Sequence, residues 1–138
     1  MDYLNSLEVN VSQVQGRLPV TVFKLSGRVN LGNSARLERL AAAEYEQGMR
    51  DLLIDLSEVP SLSSAGLRAI HSIYKLLEKP PETSKSEDSL FKEPRPAGKS
   101  AHLKLCHASE EVKRVLDISG FAIFFDVYED LEQALEAF

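Results

Sequence analysis

Ser63 and Ser64 stand where an apolar segment gives way to a helical pattern, and they are the best-placed residues in this chain for chemistry. Pro60 and Ser61 interrupt the chain just before them. Apolar residues then recur at helical spacing, at Leu67, Ile70, Ile73 and Leu77. The start of a helix collects free N–H groups and the positive end of the helix dipole, so it tolerates an anion. A serine hydroxyl at this position therefore either caps the helix or accepts a phosphate.

The polar face of the same predicted helix carries Ser64, Arg68, His71 and Lys75. Its simplest interpretation is a solvated face preceded by a serine cap. A modified docking face is the alternative, because two adjacent serines offer one hydroxyl for capping and a second for modification. Ala65 and Gly66 would also keep the neighbouring surface low enough for a partner to approach closely.

Other sequence patterns argue against catalysis. Gly98-Lys99-Ser100 lacks the first glycine of a phosphate-binding P-loop, because Glu93 occupies that position. Ser64 has Leu62 where a hydrolase nucleophile elbow needs glycine. His71 would lie two turns along the same helix and could not easily reach back to Ser64. We therefore expect a protein that is not an enzyme and that has no cofactor.

Residues that could ligate a metal are sparse in the sequence. Asp51 and Asp55 flank an apolar run, and carboxylates at the end of a parallel strand often bind metal or phosphate. No third carboxylate stands beside Asp55, which favours a loop-stabilising role for it. Cys106 is the single cysteine, which excludes an internal disulfide and a multi-cysteine metal site. It is interpreted as a small core residue. No metal site is predicted.

The composition limits the class of protein. A chain of 138 residues suits one domain, residues 1–138, with a real hydrophobic core. A formal charge of −5 gives no basic footprint for nucleic acid or an anionic membrane. The first residues lack the basic and apolar regions of a signal peptide, and no apolar run is long enough to span a bilayer. We expect a soluble cytoplasmic protein without direct membrane insertion.

The first half of the chain must supply the elements that position Ser63 and Ser64. Alternation at Leu7, Val9 and Val11 predicts a strand with one face in water. Turn residues at 16–19 lead into a second strand. Asn33 or Ser34 is expected to cap a helix that runs to about Gln47 and stops at Gly48. The remaining elements are a strand at Leu52–Leu56, buried on both faces, and a helix at Ser64–Leu77.

The second half begins with residues 80–100, which are rich in Pro, Ser, Lys and Glu and are predicted to be a mobile insertion. After it we expect a strand around Leu103–Leu105, a helix from Ser109 to Gly120, a strand at Ala122–Val127 and a short helix capped by Asp130. Strands separated by helices predict an α/β fold. Its sheet would be mixed and mostly parallel, with four to five strands covered by about four helices.

Three segments resemble the STAS domain of bacterial anti-sigma factor antagonists. Gly27-Arg28-Val29-Asn30 resembles the family turn after the second strand. Leu53-Ile54-Asp55-Leu56-Ser57, followed by Ser63-Ser64-Ala65-Gly66-Leu67, resembles the family's strand and serine motif. The order of segments from Leu103 to Phe138 also follows the family. Two positions depart from its usual residues, because Asn30 and Ser63 stand where many members have Asp.

The resemblance implies phosphorylation-controlled partner switching. Ser64 matches the serine that a partner kinase phosphorylates, and Ser63 is the second choice. A free monomer would bind an anti-sigma factor serine kinase when Ser64 is unphosphorylated, and a serine phosphatase would reset the switch. The implied partner-binding residues are Asn30, Ser63, Ser64, Ala65, Gly66, Leu67, Arg68 and His71. The alternative is a STAS scaffold or accessory subunit of a signalling assembly or membrane transporter, in which the serine would only cap a helix.

Overall fold

The computed structural model describes residues 7–78 and 100–138. Within them a five-stranded sheet follows chain order, β1-β2-β3-β4-β5. The strands are β1 (Glu8–Gln15), β2 (Pro19–Ser26), β3 (Leu52–Glu58), β4 (Leu103–Cys106) and β5 (Asp126–Tyr128). The α-helices are α1 (Leu31–Glu46), α2 (Ser64–Leu77), α3 (Glu110–Ser119) and α4 (Leu131–Ala137).

The strand directions place all four α-helix starts along one edge of the sheet. β1 and β2 form an antiparallel hairpin, whereas β2, β3, β4 and β5 pair in parallel. Because each α-helix follows one of these four parallel strands, the helix N-termini all lie at the carboxyl edge of those strands. The predicted mixed, mostly parallel sheet with covering helices is confirmed.

Alternation along β3 divides the core between the two faces of the sheet. Leu52, Ile54 and Leu56 point into the larger apolar cluster, which also contains the buried residues of α1, α2 and α3. Leu53 points the other way, into a smaller cluster with Cys106 and with Ala134 of α4. Both faces of β3 are therefore buried, as its apolar residues Leu52, Leu53, Ile54 and Leu56 predicted. Cys106 lies in the core and is fully buried, as expected.

The start of α1 differs from the prediction. The cap is Asn30, whose side chain accepts a hydrogen bond from the N–H of Gly32 at 2.9 Å, and the Asn33 side chain accepts one from the N–H of Asn30 at 3.0 Å. Asn33 and Ser34, which were predicted as caps, are buried inside the helix. This reciprocal capping box satisfies two N–H groups, whereas a later start would leave them without those partners. α1 ends at Glu46, and Gly48 follows with φ +114°.

The predicted strand at Ala122–Val127 is also wrong in its first half. Phe121–Phe124 form a 3₁₀ helix, and only Asp126–Tyr128 pair as a strand. The reason is tertiary, because the rings of Phe121 and Phe124 pack against His71 of α2. Side chains that gather on one neighbouring helix cannot alternate across a sheet.

The predicted insertion at 80–100 lies outside the described residues except at its last position. Ser100 is buried, its N–H donates to the Phe124 carbonyl at 3.0 Å, and its hydroxyl donates to the Glu78 carboxylate. The hydroxyl oxygen also accepts from the N–H groups of His102 and Leu103. Ser100 therefore belongs to the folded domain, because it anchors the start of β4.

Within residues 7–78 and 100–138, the helices are all too short or too polar to cross a membrane.

Candidate functional site

The two serines at the start of α2 have different surroundings. Ser63 is the N-cap, and its hydroxyl oxygen accepts from the Gly66 N–H at 3.1 Å while donating to the Val29 carbonyl at 3.1 Å. Ser64 is the first helical residue and is exposed to solvent. The Ser63 hydroxyl is thus engaged as both donor and acceptor, which leaves Ser64 as the accessible hydroxyl.

The loop between β2 and α1 lies directly against this helix start. Val29 forms a parallel bridge with Leu62, and its carbonyl also accepts from the Ser63 N–H at 3.0 Å. Gly66 is packed so closely that a Cβ there would lie 2.7 Å from the Val29 carbonyl oxygen. The site therefore needs a glycine at position 66, because any side chain would push the two segments apart.

This contact brings the start of α1 beside the start of α2. Asn30, which follows Val29, has its side chain engaged in the α1 capping box. The next residue, Leu31, is 78% exposed, an unusual position for a large apolar side chain. Leu31 is absent from the sequence-predicted site. The sequence did contain a sign of this exposure. Leu31 lies outside the apolar stripe that Leu37, Leu40 and Ala41 form at helical spacing, so it was not needed for the core.

The residues predicted for the α2 face fall into three groups. Arg68 and Lys75 are exposed, as a solvated stripe requires, and Ala65 is half-buried. Gly66 and Leu67 are buried, so they support the surface from below and present no side chain to it. His71 is half-buried, stacked on Tyr74 with ring centroids 5.4 Å apart and tilted against Phe124 at 4.7 Å. Partial burial, and secondly the nearby Lys75, lowers the pKa of His71.

Comparison with known proteins assigns the family. The sequence profile of the STAS domain matches residues 11–80. The chain belongs to the STAS-domain family. BtrV of Bordetella bronchiseptica, named as a candidate anti-sigma factor antagonist, is 29% identical over 132 residues, which cover 96% of this chain and 95% of BtrV.

Solved structures share the fold of this STAS protein. An anti-sigma factor antagonist from Mycobacterium paratuberculosis superimposes with a TM-score of 0.71 at 23% identity, covering 96% of this chain and 94% of its own. The anti-sigma factor antagonist SpoIIAA, of Bacillus, in its unphosphorylated form gives 0.65 at 13% identity, covering 94% of both chains. The family resemblance read from the sequence is confirmed, and so is the STAS-like fold.

The histidines of this STAS domain do not build a catalytic site at Ser64. His71 packs among aromatic rings, and His102 lies at the start of β4, where its Nδ1 is 3.0 Å from the Asp51 carboxylate. His107 follows β4 and lies near Asp55 and Cys106. Within the described parts of the chain, Ser64 therefore lacks the histidine partner that would activate it as a nucleophile.

One group of possible metal ligands occurs among the described residues. Asp55, Cys106 and His107 have ligand atoms within 4.8 Å of one another, where β3 pairs with the end of β4. The Asp55 carboxylate also accepts from the Ser57 N–H at 3.0 Å within β3, and its role in stabilising the following loop stays a prediction. Sequence analysis missed this group, because Asp55 is far from the other two residues along the chain.

Proposed function

We propose that this STAS protein is an anti-sigma factor antagonist whose partner binding is controlled by phosphorylation of Ser64. The names of BtrV and of the structural relatives support the general role, and SpoIIAA has been solved in both unphosphorylated and phosphorylated forms. The observation that carries the proposal is the division of labour between two serines. Ser63 caps α2, so the exposed Ser64 is available for modification without loss of the cap.

The helix start suits a phosphate on Ser64. In the proposed reaction the Ser64 hydroxyl attacks the γ-phosphorus of ATP, ADP leaves and the hydroxyl proton is lost. The product carries about −1.5 to −2 charges at neutral pH. The N-terminal dipole of α2 stabilises that charge, and Arg68 lies one helical turn further along the same face. Phosphorylation is therefore compatible with the fold of this chain.

The same phosphate would oppose a partner that binds over Ser64. The proposed contact surface consists of Asn30, Leu31, Ser64, Ala65 and Arg68, where two helix starts meet. Leu31 would supply apolar contact, because burying its 78% exposed side chain in a partner is favourable. A doubly charged group at the centre of that contact would block it by repulsion and by its desolvation cost.

The proposed partner is an anti-sigma factor that is itself an ATP-dependent serine kinase. A serine phosphatase would restore the binding-competent form. The chain acts here as a binding module and as a kinase substrate, and it performs no turnover of its own. We propose that it works in the cytoplasm and is monomeric when free.

The test compares capture of host proteins by wild-type protein, Ser64→Asp and Ser72→Asp. Ser72 is the matched control, because it is exposed on the same helix about 12 Å further along. Wild type and Ser72→Asp should capture an ATP-binding serine kinase, and Ser64→Asp should lose at least about 90% of it, tenfold or about 1.4 kcal/mol. Leu31→Ala should weaken capture without changing the helical circular dichroism signal.

Incubation of the captured kinase with ATP identifies the acceptor. Mass spectrometry should find phosphate on Ser64 of wild type and none on Ser64→Ala. Phosphate on Ser63 instead would identify Ser63 as the residue whose phosphorylation controls binding. If Ser64→Asp retains the same partner as wild type, negative charge at Ser64 does not control binding and a permanent scaffold role replaces the switch, because Asp is also tolerated in the first turn of a helix.

A further inference from the structure

The pairing of β3 with the end of β4 brings three different metal-ligating side chains together. Asp55 and Cys106 are direct partners in the parallel register of the two strands. Both are buried, with Asp55 8% exposed and Cys106 fully enclosed. His107 follows immediately and is half-buried. One ligand atom from each residue lies within 4.8 Å of the other two.

The backbone at His107 directs this residue toward the other two. Successive side chains of a strand normally point to opposite faces, which would separate His107 from Cys106. His107 instead has φ +60°, the one positive value at a non-glycine position in the described chain. Its N–H donates to the Tyr128 carbonyl at 3.0 Å, which holds the turn at the end of β4. The imidazole and the thiol therefore approach the same carboxylate.

The donor set selects the type of cation. A thiolate, an imidazole and one carboxylate suit Zn²⁺ and its transition-metal analogues, whereas Ca²⁺ and Mg²⁺ prefer oxygen ligands. Ligands around a tetrahedral zinc ion lie roughly 3.3–3.8 Å apart for bonds of about 2.0–2.3 Å. Atoms within 4.8 Å of one another need only a modest side-chain adjustment to reach that spacing. The half-exposed side of His107 leaves access for water as a fourth ligand.

The electrostatics of the pocket also favour a cation. The Asp55 carboxyl group is buried and forms no ion pair within the described residues. The Asp55 carboxylate therefore offers a buried anionic ligand to a divalent cation. As the metal–sulfur bond forms, the thiol releases its proton to solvent.

The hydrogen bond between Ser57 and Asp55 is compatible with a metal. A carboxylate has two oxygens and about four lone-pair sites, so one oxygen can accept from the Ser57 N–H while the other ligates. We propose that Asp55, Cys106 and His107 form a binding site for one thiophilic divalent cation, best matched by Zn²⁺. The site is independent of the phosphorylation proposed at Ser64.

The experiment is titration of the full-length, reduced protein with Co²⁺, followed by displacement with Zn²⁺. We expect one equivalent of Co²⁺ to give a tetrahedral visible spectrum with a thiolate-to-metal charge-transfer band, and Zn²⁺ to abolish both. His107→Gln and Cys106→Ser should each weaken Zn²⁺ affinity beyond the 10–100-fold that loss of an outer-shell partner costs. His107→Gln is the milder change, since its side chain is half-exposed.

His102→Gln is the matched control, because His102 is a half-buried histidine paired with Asp51 outside the cluster. It should retain wild-type affinity and the charge-transfer band. Folding of every variant is checked by circular dichroism. Zn²⁺ should raise the melting temperature of wild type and of His102→Gln, and it should not raise that of a variant that lacks one of the three ligands. Absence of a charge-transfer band, or equal Zn²⁺ affinity in wild type and folded His107→Gln, would overturn the proposal.

Discussion

Replacement of Gly66 by alanine tests how closely the start of α2 is held to the loop after β2. The new Cβ would lie 2.7 Å from the Val29 carbonyl oxygen, 3.0 Å from Val29 Cγ1 and 3.1 Å from Val29 Cβ. The nearest atom belongs to the backbone and cannot rotate away. Val29 is also fixed by its bridge to Leu62 and by two hydrogen bonds from Ser63. The overlap must therefore be relieved by separating two main-chain segments.

Two destabilising effects and one stabilising effect set the change in the free energy of unfolding. Overpacking in a rigid site costs about 1–3 kcal/mol, and stretching the Ser63 hydrogen bonds costs part of the 0.5–1.5 kcal/mol that each typically contributes. Alanine gains up to about 1 kcal/mol over glycine from helix propensity. The expected net loss is about 2 kcal/mol in the free energy of unfolding. With a urea slope of about 1.5–2 kcal/mol per molar, the midpoint falls by about 1 M.

Equilibrium urea unfolding followed by circular dichroism measures this loss. Gly32→Ala is the matched control, because Gly32 is an exposed residue in the first turn of α1 and has no positive φ. It should leave the midpoint unchanged or raise it, since only the propensity gain remains. If Gly66→Ala unfolds at the wild-type midpoint with an unchanged slope, the close approach does not constrain the fold and our reasoning is refuted.

Three other predictions use the same unfolding measurements or simple thiol chemistry. Ser63→Ala should destabilise the protein by about 1 kcal/mol through loss of the cap, whereas Ser64→Ala should change stability by less than about 0.5 kcal/mol; equal effects would contradict the division of labour. Because the pKa of His71 is lowered in the folded state, the unfolded state takes up a proton first as the pH falls below about 6.5. Stability should therefore be lost on acidification through that value and the lower folded pKa, and His71→Gln should lose less; parallel pH profiles would count against the burial argument. Cys106, with its pKa raised from 9.0 to about 12, should carry about 1,000-fold less thiolate and react correspondingly more slowly with iodoacetamide in native buffer than in urea; similar rates would show that the thiol is accessible.

Local periodicity was enough to predict most elements of the fold. The apolar residues at 52–54 and 56 predicted β3 with both faces covered, and α2 begins and ends at its predicted residues, Ser64 and Leu77. The errors occur where local sequence offers two equivalent choices. Asn30, Asn33 and Ser34 are all good caps, and the reciprocal bonds between Asn30 and Asn33 decide among them.

The candidate site was predicted only in part, for a related reason. Helical spacing places Ser64 and Arg68 on one face, and both are exposed as expected. Spacing cannot show that His71 on the same stripe meets the rings of Phe121 and Phe124. It also gives no weight to a single exposed leucine such as Leu31. Both facts depend on which segments of the chain lie side by side.

The sequence by itself determined the types of element, the two serines at a helix start and the family, because these depend on residues close together along the chain. Only the tertiary structure decided that Ser63, and not Ser64, is the cap, since the Val29 carbonyl and the Gly66 N–H together hold its hydroxyl. The pairing of β3 with β4 likewise places Asp55 beside Cys106. Strand register is set by packing of distant segments, so no local pattern specifies which side chains meet at the edge of the sheet.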